Sequence, residues 1–137
     1  MFPLLSVHFS DKIHPMQRLR SEVHLHMEVS SLNSIHYDKL VRDKIPEVIR
    51  QAGKQPVADT LPYEAMAAAL DRKLQEEVQE YLESSSVEEI ADVLEVLHGI
   101  AFHKGISWDE VESVRVRKRD ERGGFEKGIR LLEVKEL

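Results

Sequence analysis

The sequence predicts an all-α fold: a four-helix bundle over residues 37–132, preceded by a variable N-terminal extension, residues 1–36, and followed by a short tail, residues 133–137. Three observations predict it. From Tyr37 onward apolar residues recur at spacings of three and four, the period of a helix with one buried face. Ser86-Val87-Glu88-Glu89 and Ser107-Trp108-Asp109-Glu110 each carry the Ser-x-x-Glu signature of a helix start. Gly53, Gly105 and Gly123-Gly124 stand where those helices would end.

Bulk properties narrow the class. A chain of 137 residues fits one domain able to bury an apolar core without staples. It has no cysteine, which removes disulfides, thiolate metal sites and cysteine nucleophiles. A net charge of −6 with 32% charged residues speaks against a general nucleic-acid binder, which would carry a basic face. No apolar run approaches the roughly 20 residues of a membrane span, and Met1-Phe2-Pro3-Leu4-Leu5 is too short for a signal peptide. The expected compartment is the cytoplasm, with no nucleic-acid or membrane partner.

The extension has a different texture from the rest. It holds five of the seven histidines (His8, His14, His24, His26 and His36) and shows no helical period. Val23, Leu25, Met27 and Val29 alternate with polar residues, as in a short strand that would set His24 and His26 on one face. Two exposed histidines on an edge strand is the simpler reading, because no third ligand is near. Met16 and Met27 are alternative starts. No function is assigned to this segment.

The helices follow in order. A first segment, about 38–52, has Pro46 early in its main helix and Gly53 as its stop. The second opens after Thr60, with Pro62 in its first turn, and runs through Glu83. Ser84-Ser85-Ser86 breaks it. The third runs from the Ser86 cap to Lys104, and the fourth from the Ser107 cap to Gly123-Gly124. The end of the chain, 129–137, alternates apolar and polar residues, as a short strand or a partner-binding arm would.

The residues that carry chemistry are acidic. Glutamate favours helices, so one Glu-x-x-Glu means little by itself; what matters is the face it occupies. On a wheel turning about 100° per residue from Leu70, the stripe of Met66, Leu74 and Tyr81 contains Glu77, and Glu80 borders it. On the third helix Glu89 falls between Val96 and Ile100, and Asp92 flanks the same arc. Glu76 and Glu88 fall on outer faces and read as solvated. A buried carboxylate needs a basic partner, a shared proton or a metal. If Ser84–Ser86 joins the two helices as an antiparallel hairpin, Glu80 meets Glu89 and Glu77 meets Asp92 one turn further in. Four converging carboxylates need a counter-charge, and oxygen-only ligation suits Mg²⁺ or Mn²⁺. Lys73 is a local partner for Glu77 at i, i+4, and Glu89 is also the third residue of the Ser86 capping box.

Glu76-Glu77-x-x-Glu80 followed by Glu89-x-x-Asp92 resembles the all-α nucleoside triphosphate pyrophosphohydrolases, the superfamily of MazG, dimeric dUTPases and phosphoribosyl-ATP pyrophosphohydrolase. Two flanking blocks, Tyr37-Asp38-Lys39-Leu40-Val41-Arg42-Asp43-Lys44-Ile45-Pro46 and Lys118-Arg119-Asp120-Glu121-Arg122-Gly123-Gly124-Phe125, look like its MazG-like house-cleaning subgroup. The resemblance covers residues 37–132. It implies that Glu77, Glu80, Glu89 and Asp92 ligate Mg²⁺ and serve catalysis. It also implies cleavage of a nucleoside triphosphate, non-standard or damaged, between the α- and β-phosphates, releasing a nucleoside monophosphate and pyrophosphate. Relatives assemble as dimers or tetramers. Many have a longer connection between the two acidic motifs than the eight residues between Glu80 and Glu89 here.

Phosphate charge left over would fall to lysine and arginine. Lys118 and Arg122, at i, i+4 on the fourth helix, form one candidate cluster; Lys39, Arg42 and Lys44 form another. Each serves equally well as a solvated surface. His98 and His103 have no motif around them and read as structural, and Trp108 reads as core or interface. Two alternatives stay open: phosphoribosyl-ATP hydrolysis, and a non-enzymatic helical oligomerisation module whose acidic seam is neutralised by basic residues.

Overall fold

The computed structural model describes residues 34–137. The expected strand at Val23–Val29 and the paired histidines His24 and His26 lie outside them. The chain divides into two units, residues 1–37 and 38–137, and the second holds four helices: α1 Ile45–Gln51, α2 Tyr63–Ser84, α3 Val87–His103 and α4 Trp108–Arg122. No strand forms among the described residues.

Local chemistry explains each boundary. The helix expected over about 38–52 is confined to Ile45–Gln51, because Pro46 is tolerated only in a first turn. The residues before it run as irregular chain, with Asp38 in the left-handed region at φ 44°. Gly53 closes α1 at φ 78°: its N–H donates to the Arg50 carbonyl and that of Lys54 to Ile49, the paired bonds of a Schellman end. Pro62 stands just outside α2 in extended conformation, rather than within its first turn. Ser86 and Ser107 cap α3 and α4 by accepting from the backbone N–H of Glu89 and Glu110. Between α2 and α3 the turn is tight. Ser85 takes a left-handed conformation at φ 53° and donates its N–H to Tyr81, after which Ser86 starts α3.

α2 and α3 pack along their length around Ala69, Leu70, Val96 and Ala101. Gly99 marks the closest approach, since a Cβ there would lie 3.3 Å from Leu70 Cδ2. Glu77 lies seven residues after Leu70, and Asp92 seven before Gly99. The antiparallel register set by Leu70 and Gly99 therefore carries Glu77 level with Asp92. α4 meets α3 over a smaller patch, where the His98 ring stacks on Trp108 at 3.5 Å. Tyr63 donates its hydroxyl proton to the His103 carbonyl at 3.2 Å.

Among the described residues the four helices do not close into a bundle around one core. α1 is short, α4 is dominated by charge, and neither contributes a buried residue. Apolar side chains consequently stay open on the hairpin: Leu82, Val87, Ile90 and Phe102 are all more than half exposed. The strand expected over 129–137 is absent. Ile129, Leu131, Leu132 and Val134 lie on irregular, exposed chain. No helix of the described residues is long and apolar enough to cross a membrane.

Candidate metal centre

The α2–α3 seam is acidic at one end, next to the turn. Glu77 is 6% exposed and Glu89 7%, which makes them the buried charged residues of the hairpin. Their burial follows helical phase, as both stand where the period would otherwise put leucine. One carboxylate oxygen each from Glu77, Glu89 and Asp92 lies within 4.8 Å of the others. The capping role open to Glu89 is only half used. Its backbone N–H donates to Ser86 Oγ at 3.3 Å, but its carboxylate makes no return bond and turns into the seam.

Glu80 falls outside that group of three. It stands one turn beyond Glu77 at the rim of the seam. Burial, then the charge of Glu77 and hydrogen bonding to it, then the charges of Glu89 and Glu76, push its carboxyl up from 4.5 to about 7. Glu76 does not behave as a solvated outer-face residue. It pairs with Lys39 at 2.8 Å and Lys73 at 3.1 Å. Its own burial would raise its pKa, but the bonds from Lys39 and Lys73 outweigh that and lower it. Helical phase puts Glu76 on an outer face; Lys73 from the same helix and Lys39 from the segment before α1 cover it there.

Counter-charge reaches the seam from two sources. Lys73, one turn earlier on α2, holds Glu77 Oε1 at 2.6 Å, the i, i+4 pair expected from the sequence. Burial works against the lysine's charge, yet Glu77 and Glu76 together raise its pKa. The irregular segment before α1 supplies the rest. Lys39 reaches Glu76 across 37 residues, and Arg42 Nη2 reaches Asp92 Oδ1 at 2.6 Å across 50. Of the basic candidates, then, Lys39 and Arg42 sit at the site, bound to carboxylates. Lys44 is exposed just before α1, and Lys118 and Arg122 are exposed on α4; none of these three forms an ion pair among the described residues. His98 and His103 pack on Trp108 and Tyr63 respectively.

Comparison with known proteins adds one relative. A stretch of 42 residues, 31% of the chain, is 57% identical to an uncharacterized protein of Mycolicibacterium smegmatis. The match spans 43% of that protein's length. No family model and no solved structure matches the chain.

The residues present fit a small hard cation. Glu77 Oε2 and Glu89 Oε2 are buried with no hydrogen-bond donor, a condition that costs a buried acceptor its hydration with nothing in return. Glu76, Glu77, Glu80, Glu89 and Asp92 face Lys39, Lys73 and Arg42, so two negative charges remain uncompensated when all are ionised. The donors are all oxygens, and part of the group borders solvent, which leaves room for water ligands. That donor set suits Mg²⁺ or Mn²⁺ and excludes soft-metal chemistry.

Proposed function

We propose that residues 37–132 form a Mg²⁺-dependent nucleotide pyrophosphohydrolase, active with Mn²⁺ as well, that splits a nucleoside triphosphate between its α- and β-phosphates. The observation that carries the reading is the pair of buried carboxylate oxygens, Glu77 Oε2 and Glu89 Oε2, aimed into one seam with no protein donor. The order of the three sequence blocks supports the reaction class by resemblance.

Glu77, Glu89 and Asp92 would hold the cation. When bound, it would neutralise phosphate oxygens and lower the pKa of the attacking water. Glu80, one turn beyond Glu77 and outside the group of three, is the carboxylate left to take a proton from that water. Lys73 holds Glu77 in place. Lys39 and Arg42 stand where phosphate charge would arrive. A substrate panel of standard and damaged nucleoside triphosphates, with pyrophosphate detection and with or without Mg²⁺, tests the activity. A panel with no Mg²⁺-dependent pyrophosphate release would defeat it, and phosphoribosyl-ATP belongs in the same panel.

One observation favours a second reading. Lys39, Lys73 and Arg42 already pair with the acidic seam, and the hairpin leaves apolar side chains open, as an interaction module would. Calorimetric titration with Mn²⁺ separates the two readings, since a seam neutralised by lysine and arginine binds no stoichiometric cation. Self-association belongs to both, since the hairpin leaves Leu82, Val87, Ile90 and Phe102 exposed and a second hairpin would cover such side chains.

A further inference from the structure

The Arg42–Asp92 pair differs from the Lys73–Glu77 pair in a way that matters for phosphate. Lys73 and Glu77 are largely buried, with side chains 15% and 8% exposed. Arg42 and Asp92 are open, at 54% and 37%. An exposed pair contributes little to stability and is readily exchanged. Asp92 is also one of the three carboxylates grouped within 4.8 Å, so a cation bound there would draw on the same carboxylate that Arg42 holds through Oδ1.

We propose that Arg42 is a phosphate-binding residue held in reserve: it occupies Asp92 in the cation-free chain and moves to a phosphate of the substrate when a divalent cation takes Asp92. This rests on the metal-centre reading above and names the residue that would couple cation to substrate. Guanidinium is suited to the exchange because its planar fork matches carboxylate and phosphate alike. The segment can release Arg42 without leaving the site. Lys39 ties it to Glu76, which stands outside the group of three and keeps its partner when the cation binds. The Arg42 carbonyl also accepts from the Ile45 N–H at the start of α1. Arg42 is therefore anchored on both sides while its side chain is free to turn from one acceptor to another. Cation and arginine compete for Asp92 until a phosphate is present, after which they cooperate.

Such an exchange has a signature with two opposite signs. Arg42→Gln removes the competitor, so Mn²⁺ alone should bind about three- to tenfold tighter by calorimetry. The same variant, saturated with Mn²⁺, should bind inorganic pyrophosphate at least about tenfold more weakly, because a charge-assisted fork is gone. Arg42→Lys keeps the positive charge and should hold the wild-type Mn²⁺ affinity while still weakening pyrophosphate. Arg50→Gln, on α1 and paired with Glu47, controls for the loss of one charge at a distance and should change neither affinity. The inference is overturned if Arg42→Gln leaves Mn²⁺ affinity unchanged or lowers it, or if pyrophosphate binds as before. A wild-type chain that takes up no stoichiometric Mn²⁺ would instead overturn the metal-centre reading itself, before any variant is compared.

Discussion

Replacing Glu89 by Gln should make the cation-free protein more stable and abolish its response to cation. Glu89 is 7% exposed, its Oε2 has no donor, and its carboxylate lies within 4.8 Å of those of Glu77 and Asp92. At an effective dielectric of about 20, two unit charges at that distance repel by about 3 kcal/mol. Lys73 on Glu77 and Arg42 on Asp92 cancel part of this repulsion. A net relief of about 1–2 kcal/mol is the reasonable expectation, since Gln also removes the cost of burying a charge. The Ser86 cap is untouched, because it uses the Glu89 backbone N–H. For a domain of this size about 1 kcal/mol moves Tm by roughly 4 °C or more. Thermal melts in chelator should therefore show Glu89→Gln melting at least about 4 °C above wild type. With excess Mn²⁺ the order should reverse, as wild type gains binding energy and the variant does not. A variant that melts at or below wild type in chelator would show that Glu89 is already compensated, and the reasoning from orphaned carboxylates would fail.

Three further outcomes follow from the same geometry. Lys73→Met should destabilise the cation-free chain by about 3 kcal/mol, since it leaves Glu77 buried without its cation; chemical denaturation measures this, and Mn²⁺ should restore much of the loss. Because the Glu80 pKa is raised from 4.5 to about 7, the folded chain binds more protons than the unfolded one between those values. Cation-free stability should accordingly fall as pH rises through that window, and Glu80→Gln should flatten the profile of Tm against pH. Glu77→Gln should lose stoichiometric Mn²⁺ binding where Glu76→Gln keeps it, and equal losses in calorimetry would mean the two carboxylates share one site.

The sequence spoke clearly wherever structure is periodic. The Ser86 and Ser107 caps, the stops at Gly53 and Gly105 and the inward phase of Glu77 and Glu89 are all local matters of spacing and φ. Pairings across the fold were not legible in that way. The Lys39–Glu76 and Arg42–Asp92 pairs join an irregular segment to two helices, and no period in residues 38–44 announces them. The limits of the bundle were hidden for a different reason. Whether α1 and α4 cover the hairpin depends on total apolar area, and a short α1 and a charged α4 bury none of their residues. The alternation in 129–137 resembled a strand, yet a strand needs a neighbour to pair with, and none is present among the described residues.

The two-serine turn between α2 and α3 has a consequence for how the site comes into being. Ser85 reverses the chain and Ser86 starts the next helix at once, so every carboxylate of the group lies in the contiguous stretch Glu77–Asp92. Closing a loop that short costs little entropy, and contacts of low sequence separation form early on the folding path. The acidic cluster would thus assemble before the segment carrying Lys39 and Arg42 has docked, at the stage when its repulsion is least compensated. If the seam takes a divalent ion as proposed, that ion, present during synthesis, would speed the collapse of the hairpin as well as occupy the finished seam.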